Sequence, residues 1–171
     1  ELSPEIRLSH PVRKVEKMEN SVMVTCDGIH FSARKLILAM PPVMINGIQF
    51  NADIPSNKYQ LWQRMPMGAV WKCYAIYPSP FWRTKGLNGI VASNEGYTRL
   101  VFDNSPANGS RGILMGFVLA GRAREFSTLT DEQKRQSILQ SFTTYFGDEA
   151  SSPISYIDQG WTEEAWSRGC Y

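Results

Sequence analysis

Apolar and polar positions alternate in short runs along the first forty residues. Ile6-Arg7-Leu8, Val12 to Val15 after Pro11, and Ser21-Val22-Met23-Val24-Thr25-Cys26 each predict a strand. Asp27-Gly28, standing before Ile29-His30-Phe31, predicts a hairpin between two of them. Lys35-Leu36-Ile37-Leu38-Ala39-Met40 is instead a continuous apolar run stopped by Pro41-Pro42, the pattern of a strand buried on both faces of a parallel sheet. Residues 43–55 read as loop. Ser56 is placed to cap a helix with Tyr59, Trp62 and Met65 on one face, ended by Pro66. Strands follow at 69–77, 89–92, 97–102 and 112–118, joined by turn formers such as Asn94-Glu95-Gly96 and Asp103-Asn104-Ser105-Pro106.

The clearest helix spans 130–146. Thr130 and Gln133 form a capping box, Ile138, Leu139, Phe142, Tyr145 and Phe146 recur at helical spacing, and Gly147 stands where a left-handed cap belongs. A last strand is expected at 154–157. Short links between successive strands predict an α+β fold, a mostly antiparallel sheet with flanking helices, preceded by a small β-meander and one buried strand. The expected domain break lies at Pro41-Pro42, giving segments 1–42, 43–160 and 161–171.

The final segment, Trp161-Thr162-Glu163-Glu164-Ala165-Trp166-Ser167-Arg168-Gly169-Cys170-Tyr171, has no apolar period of its own and concentrates aromatics, glycine and cysteine, as site segments do. A chain that starts without Met and stops on Gly-Cys-Tyr is expected to be part of a longer protein. Composition is globular, with 43% hydrophobic and 20% charged residues, which sets aside disorder. A net charge of +2 with scattered basic residues lacks the footprint of nucleic-acid binding. Three separated cysteines argue against a disulfide framework and favour a reducing intracellular compartment, and two histidines without ligand spacing argue against a metal site. No apolar stretch approaches the roughly 18 residues of a spanning helix. Location is therefore expected to be cytoplasmic unless an anchor lies elsewhere. Gly-x-Ser-x-Gly, Gly-x-x-x-x-Gly-Lys and Gly-x-Gly-x-x-Gly are all absent.

Three features remain for chemistry. Lys72, in the alternating run Ala69-Val70-Trp71-Lys72-Cys73-Tyr74, is either partly desolvated near a site or reaches solvent from an edge strand. Cys170 is either a reactive thiol or a small apolar residue. Trp161, Trp166 and Tyr171 form either a wall against a planar ring or the lid of a core.

Trp161, Glu163-Glu164 and Ser167-x-Gly169-Cys170-Tyr171 together resemble the segment around the flavin-linking cysteine of the monoamine oxidases. Arg64-Met65-Pro66-Met67-Gly68-Ala69-Val70-x-Lys72-Cys73, Tyr77, Phe81-Trp82, Asp103, Met115-Gly116-Phe117, Pro11-Val12 and Ala39-Met40-Pro41-Pro42 are similar to the same family in the same order. The resemblance covers about residues 8–171. It implies that 1–42 belongs to an FAD-binding domain, 43–160 to a substrate-binding domain and 161–171 to the flavin site. It further implies that Cys170 matches the cysteine joined to the flavin 8α carbon, and that Tyr171 matches one of two aromatics sandwiching the substrate amine. Lys72 matches the lysine bonded through water to flavin N5, Trp161 a tryptophan near the flavin ring, and Val12 a backbone contact to the adenine of FAD. Leu100, Phe102 and Phe117 match the substrate cavity. One departure stands out: the family's serine and two glycines before cysteine are Ser167-Arg168-Gly169 here.

The implied activity is oxidative deamination of a primary amine, with FAD as cofactor and amine and oxygen as small-molecule partners, giving aldehyde, ammonia and hydrogen peroxide. The second aromatic of the sandwich and the fold that grips the FAD phosphates lie outside this sequence, so the isolated chain is expected to be inactive. An amino-acid or polyamine oxidase would need a carboxylate-pairing arginine or an acidic tunnel, whereas Leu100, Phe102 and Phe117 are apolar. A non-catalytic module that keeps the fold for partner binding is the remaining alternative.

Overall fold

The computed structural model describes residues 6–170. They divide into two compact units between Met67 and Gly68, each described here by itself. The first unit holds a four-stranded sheet of order β3-β2-β1-β4, where β1 is Val12–Lys17, β2 Val22–Cys26, β3 Ile29–Ala33 and β4 Gln49–Asn51. The expected hairpin is present: Cys26 pairs with Ile29, and the turn between them places Gly28 at φ +77°, a conformation that glycine adopts without strain.

Two expectations for this unit are not met. Residues 6–8 form no strand. The apolar run 35–40 is not a buried strand either; it has no regular structure, and Ile37 is 88% exposed. The parallel position beside β1 is taken by β4, so 35–40 has no ladder in this unit to satisfy its backbone groups. That pairing also draws residues past Pro41-Pro42 into the first sheet, and the compact units therefore part at Met67/Gly68. Pro42 opens a short helix α1 (Pro42–Ile45), and helix α2 (Ser56–Gln63) follows Pro55, so Ser56 is its first residue rather than its cap. Tyr59 and Trp62 of α2 do share a face, with Trp62 edge to face against Tyr59 at 5.4 Å between centroids and tilted against Phe50 of β4 at 5.9 Å.

In the second unit an antiparallel sheet of order β6-β7-β8-β5-β9 carries helices on one face. Its strands are β5 (Val70–Tyr77), β6 (Val91–Ala92), β7 (Leu100–Asp103), β8 (Gly112–Leu119) and β9 (Ser155–Gly160). Its helices are α3 (Phe81–Thr84), α4 (Ala120–Phe126) and α5 (Asp131–Phe146). The capping box of α5 forms as expected, Gln133 N–H donating to Thr130 Oγ1 and Thr130 N–H to Gln133 Oε1. Gly147 has φ +92° and ψ 179°, an extended region open essentially to glycine, rather than the left-handed helical cap. Helix α4 has no counterpart in the expected elements because only Ala123 and Phe126 of its seven residues are buried.

The core lies between sheet and helices. Trp71, Cys73, Ala75 and Tyr77 from β5 and Leu114 and Val118 from β8 meet Phe126, Ile138, Phe142 and Phe146. Near the other end of the sheet, Asp103 accepts from Trp82 Nε1 and pairs with Arg83, tying α3 to β7. Close approach of α5 to the sheet depends on Gly116, where a Cβ would stand 2.3 Å from Thr98 Cγ2 and 3.2 Å from the Phe142 ring. No helix among the described residues is long and apolar enough to cross a membrane. Gly116→Ala is expected to destabilise the folded chain by about 1–3 kcal/mol through overpacking, measured as a lower urea midpoint; an unchanged midpoint would contradict this packing.

Candidate active site

Strand β5 runs between β8 and β9, so Lys72 lies mid-sheet and not on an edge. Alternation sends Trp71 and Cys73 into the helix-covered core and Lys72 and Tyr74 to the opposite face. Pairing register then builds that face in rows. Lys72 stands opposite Phe117 on one side and Gln159 on the other, and Phe117 opposite Leu100. In the next row Tyr74 stands opposite Met115 and Ile157, and Met115 opposite Phe102. Phe102 and Phe117 pack edge to face with centroids 5.9 Å apart. Lys72, Leu100, Phe102 and Phe117, expected at the site from the sequence, thus share one surface.

The Lys72 ammonium lies 5.6 Å from the centroid of Phe117 and 5.6 Å from that of Trp161, and it joins none of the ion pairs among the described residues. Such a cation between two ring faces is held by their quadrupoles while its donors stay free.

The segment after β9 is tied at one end to the first residue of β5 and at the other to Gly68, two residues before it. Trp161 N–H donates to Val70 O at 3.0 Å, and Cys170 N–H donates to Gly68 O at 3.0 Å, with Gly68 N–H returning a bond to Cys170 O. Two turns in between, closed by bonds from Glu163 to Gly160 and from Arg168 to Glu164, let ten residues begin and end at backbone positions only two apart, Val70 and Gly68. Gly160 permits the first turn, since a Cβ there would meet the Trp71 ring at 2.6 Å. Near the second anchor Arg168 holds φ +55° and Gly169 φ +138°. The arginine therefore sits in backbone space that glycine prefers.

Two polar atoms in this loop, Trp161 Nε1 and Ser167 Oγ, are buried and without a partner among the described residues. Buried donors left unpaired are destabilising, as they also are at Thr98 Oγ1 and Tyr156 OH, and a group carrying acceptors would relieve the two in this loop. Cys170 is half-buried, while Cys26 and Cys73 are buried. Burial pushes the Cys73 thiol up to about 12, so it stays protonated and inert.

Val12 belongs to the first unit, half-buried at the start of β1, and is not among the residues brought together on this face. Tyr171 lies outside the described residues. Trp166 is 66% exposed and packs into neither a wall nor a core. Sequence reasoning missed Gln159, whose amide donates to Glu164 at 2.9 Å beside the Lys72 row. The expected strand end at Ile157 stops short of it, because Asp158-Gln159-Gly160 carries no apolar alternation; its signal is the pairing with β5 alone.

One sheet face thus presents a lysine between two aromatic rings, beside a cysteine-bearing loop with two unpaired buried donors. Over residues 1–171 the chain matches the family described as flavin containing amine oxidoreductase. It is 34% identical to amine oxidase [flavin-containing] A of Equus caballus over 174 residues, covering 99% of this chain and 33% of that protein. A solved structure of wild-type putrescine oxidase bound to putrescine superposes with a TM-score of 0.86 at 33% identity, over 95% of this chain and 36% of the other. Cyclohexylamine oxidase from Brevibacterium oxydans gives 0.89 at 28% identity with the same coverage. The chain belongs to the flavin-containing amine oxidoreductases and spans about a third of the length of the relatives it matches. The unpaired Trp161 and Ser167 donors and the half-buried thiol of Cys170 fit that family's flavin.

Exposure and burial together predict thiol reactivity. In the native chain at about pH 8, iodoacetamide is expected to label Cys170 well before Cys73 or Cys26, read by peptide mass mapping; preferential labelling of Cys73 would contradict the packing.

Proposed function

We propose that these residues form one wall of the site of an FAD-dependent amine oxidase that converts primary amines, water and oxygen to aldehyde, ammonia and hydrogen peroxide. The observation that carries the reading is Lys72, held between Phe117 and Trp161 on a strand immediately before which Gly68 anchors Cys170. The flavin, when bound, supplies the two-electron oxidation of the amine carbon and the transfer of electrons to oxygen. The chain's residues do the rest. Lys72 holds a positive charge and free donors where negative charge develops. Trp161 Nε1 and Ser167 Oγ offer hydrogen bonds to the cofactor, and Cys170 offers the thiol for covalent attachment.

Val12 serves the adenine end through its backbone, and Tyr171 orients the amine. Leu100, Phe102, Met115 and Phe117 exclude water and penalise a charged ammonium, so the amine reacts in its neutral form. Alone, the 171-residue chain with added FAD does not sustain turnover. A non-catalytic module is disfavoured by the presence of both Lys72 and the Cys170 anchor.

In the full-length protein, flavin absorbance is expected after purification and is expected to stay with the acid-precipitated polypeptide, while Cys170→Ala releases it to the supernatant. Lys72→Met is expected to lower amine-dependent peroxide release by about 100-fold, the usual loss when a charge-stabilising donor is removed. A purified protein without flavin, or one whose rate ignores Lys72→Met, would contradict the proposal.

A further inference from the structure

A cavity of about 500 Å3 is lined by Tyr97, Arg99, Leu100 and Phe117 and, from α4, by Arg122 and Glu125. It shares with the site already described Phe117, whose ring centroid is 5.6 Å from the Lys72 ammonium. Its charges are two guanidiniums against one carboxylate. None of the ion pairs among the described residues includes Arg99, Arg122 or Glu125, so neither arginine is neutralised by its neighbours there. Arg122 is half-buried. Its helix is held to the sheet just before Lys72, because Ala120, at φ +55°, donates its N–H to Ala69 O at 2.9 Å.

We propose that this cavity receives the far end of the substrate and that this end is anionic. The substrate class is then an amine carrying a carboxylate or phosphate several carbons away. The proposal rests on the reading of the site as that of an amine oxidase. The amine belongs at the Lys72 end and the chain of carbons lies along Phe117 and Leu100. Beyond them the planar guanidiniums present forks of donors that match an oxyanion. Arg99 is exposed and Arg122 half-buried, and a plain alkyl tail laid over them would take water from both charges and give them nothing to bond, which is unfavourable. A second ammonium, as in a diamine, would meet two cations and one anion, a net repulsion. This separates the chain's cavity from what the name of its relative putrescine oxidase describes.

The test compares hexylamine, 1,6-diaminohexane, 6-aminohexanoate and 5-aminopentyl phosphate as substrates of the flavin-loaded full-length protein. One of the two anionic amines is expected to exceed hexylamine in kcat/KM by about tenfold or more, as charge-assisted hydrogen bonds allow. Which of them leads identifies the anion. Arg99→Ala and Arg122→Ala are each expected to reduce that ratio, and Arg122→Lys to restore part of it. A preference for hexylamine or the diamine, or a ratio indifferent to both alanine substitutions, would overturn the inference. Hexanoate, which has no amine to oxidise, provides a second readout: it is expected to raise the melting temperature of the wild type and not of the Arg99→Ala/Arg122→Ala double variant. If no amine yields peroxide, the oxidase reading falls. Arginine-dependent stabilisation by hexanoate would still support the anion site, and its absence would overturn that too.

Discussion

The two-sided register of β5 is the constraint on which the rest depends. Side chains along a strand alternate with a period of two, so shifting this strand by one residue would drive Lys72 into the helix-covered core and turn Trp71 and Cys73 out. The core opposes such a slip. Trp71 lies under Gly160, packs edge to face on Phe126, and carries the Lys134 ammonium 4.4 Å above its ring; Cys73 is fully buried. Burial on one face therefore fixes the chemistry on the other. The same register, passed through β8 and β7, lines up Phe117, Leu100, Met115 and Phe102 without any of them touching Lys72 in sequence.

Strain collects where this face is closed. Ala120 and Arg168 both occupy left-handed backbone without being glycine, one at the turn from β8 into α4 and the other beside the Cys170 anchor. Each is pinned by backbone bonds nearby: Ala120 to Ala69, Cys170 to Gly68. These anchors, Gly68 and Ala69, are adjacent on the approach to β5, so the residues leading into the strand that sets the register also hold both of these points. Strained backbone that is held in place by its surroundings is a common property of functional sites.

How much of this was legible in the sequence depended on where the determinants lie. The capping box of α5, the Asp27-Gly28 hairpin and the alternation of β5 are local, and each was readable from a few neighbouring residues. The run 35–40 was not, because an apolar stretch becomes a buried strand only if partners exist, and β4 took the place beside β1. Helix α4 was hidden for the opposite reason: its stripe is only two buried residues wide. At the site, Lys72 and Trp161 were readable as unusual residues, and their likeness to a known family gave them roles. Their meeting around one ammonium, the place of Gln159 in the same row and the two arginines of the adjoining cavity come from strand pairing across tens of residues, which no local pattern records.

The central claim is that the face of the sheet bearing Lys72 is where the flavin and the amine meet. The most direct measurement is a crystal structure of the flavin-loaded full-length protein. The account predicts an isoalloxazine ring beside Trp161 and Cys170, with Lys72 Nζ in reach of it directly or through one water. A ring lodged on the helix-covered side near Trp71 and Phe142, or bound away from this sheet altogether, would contradict it.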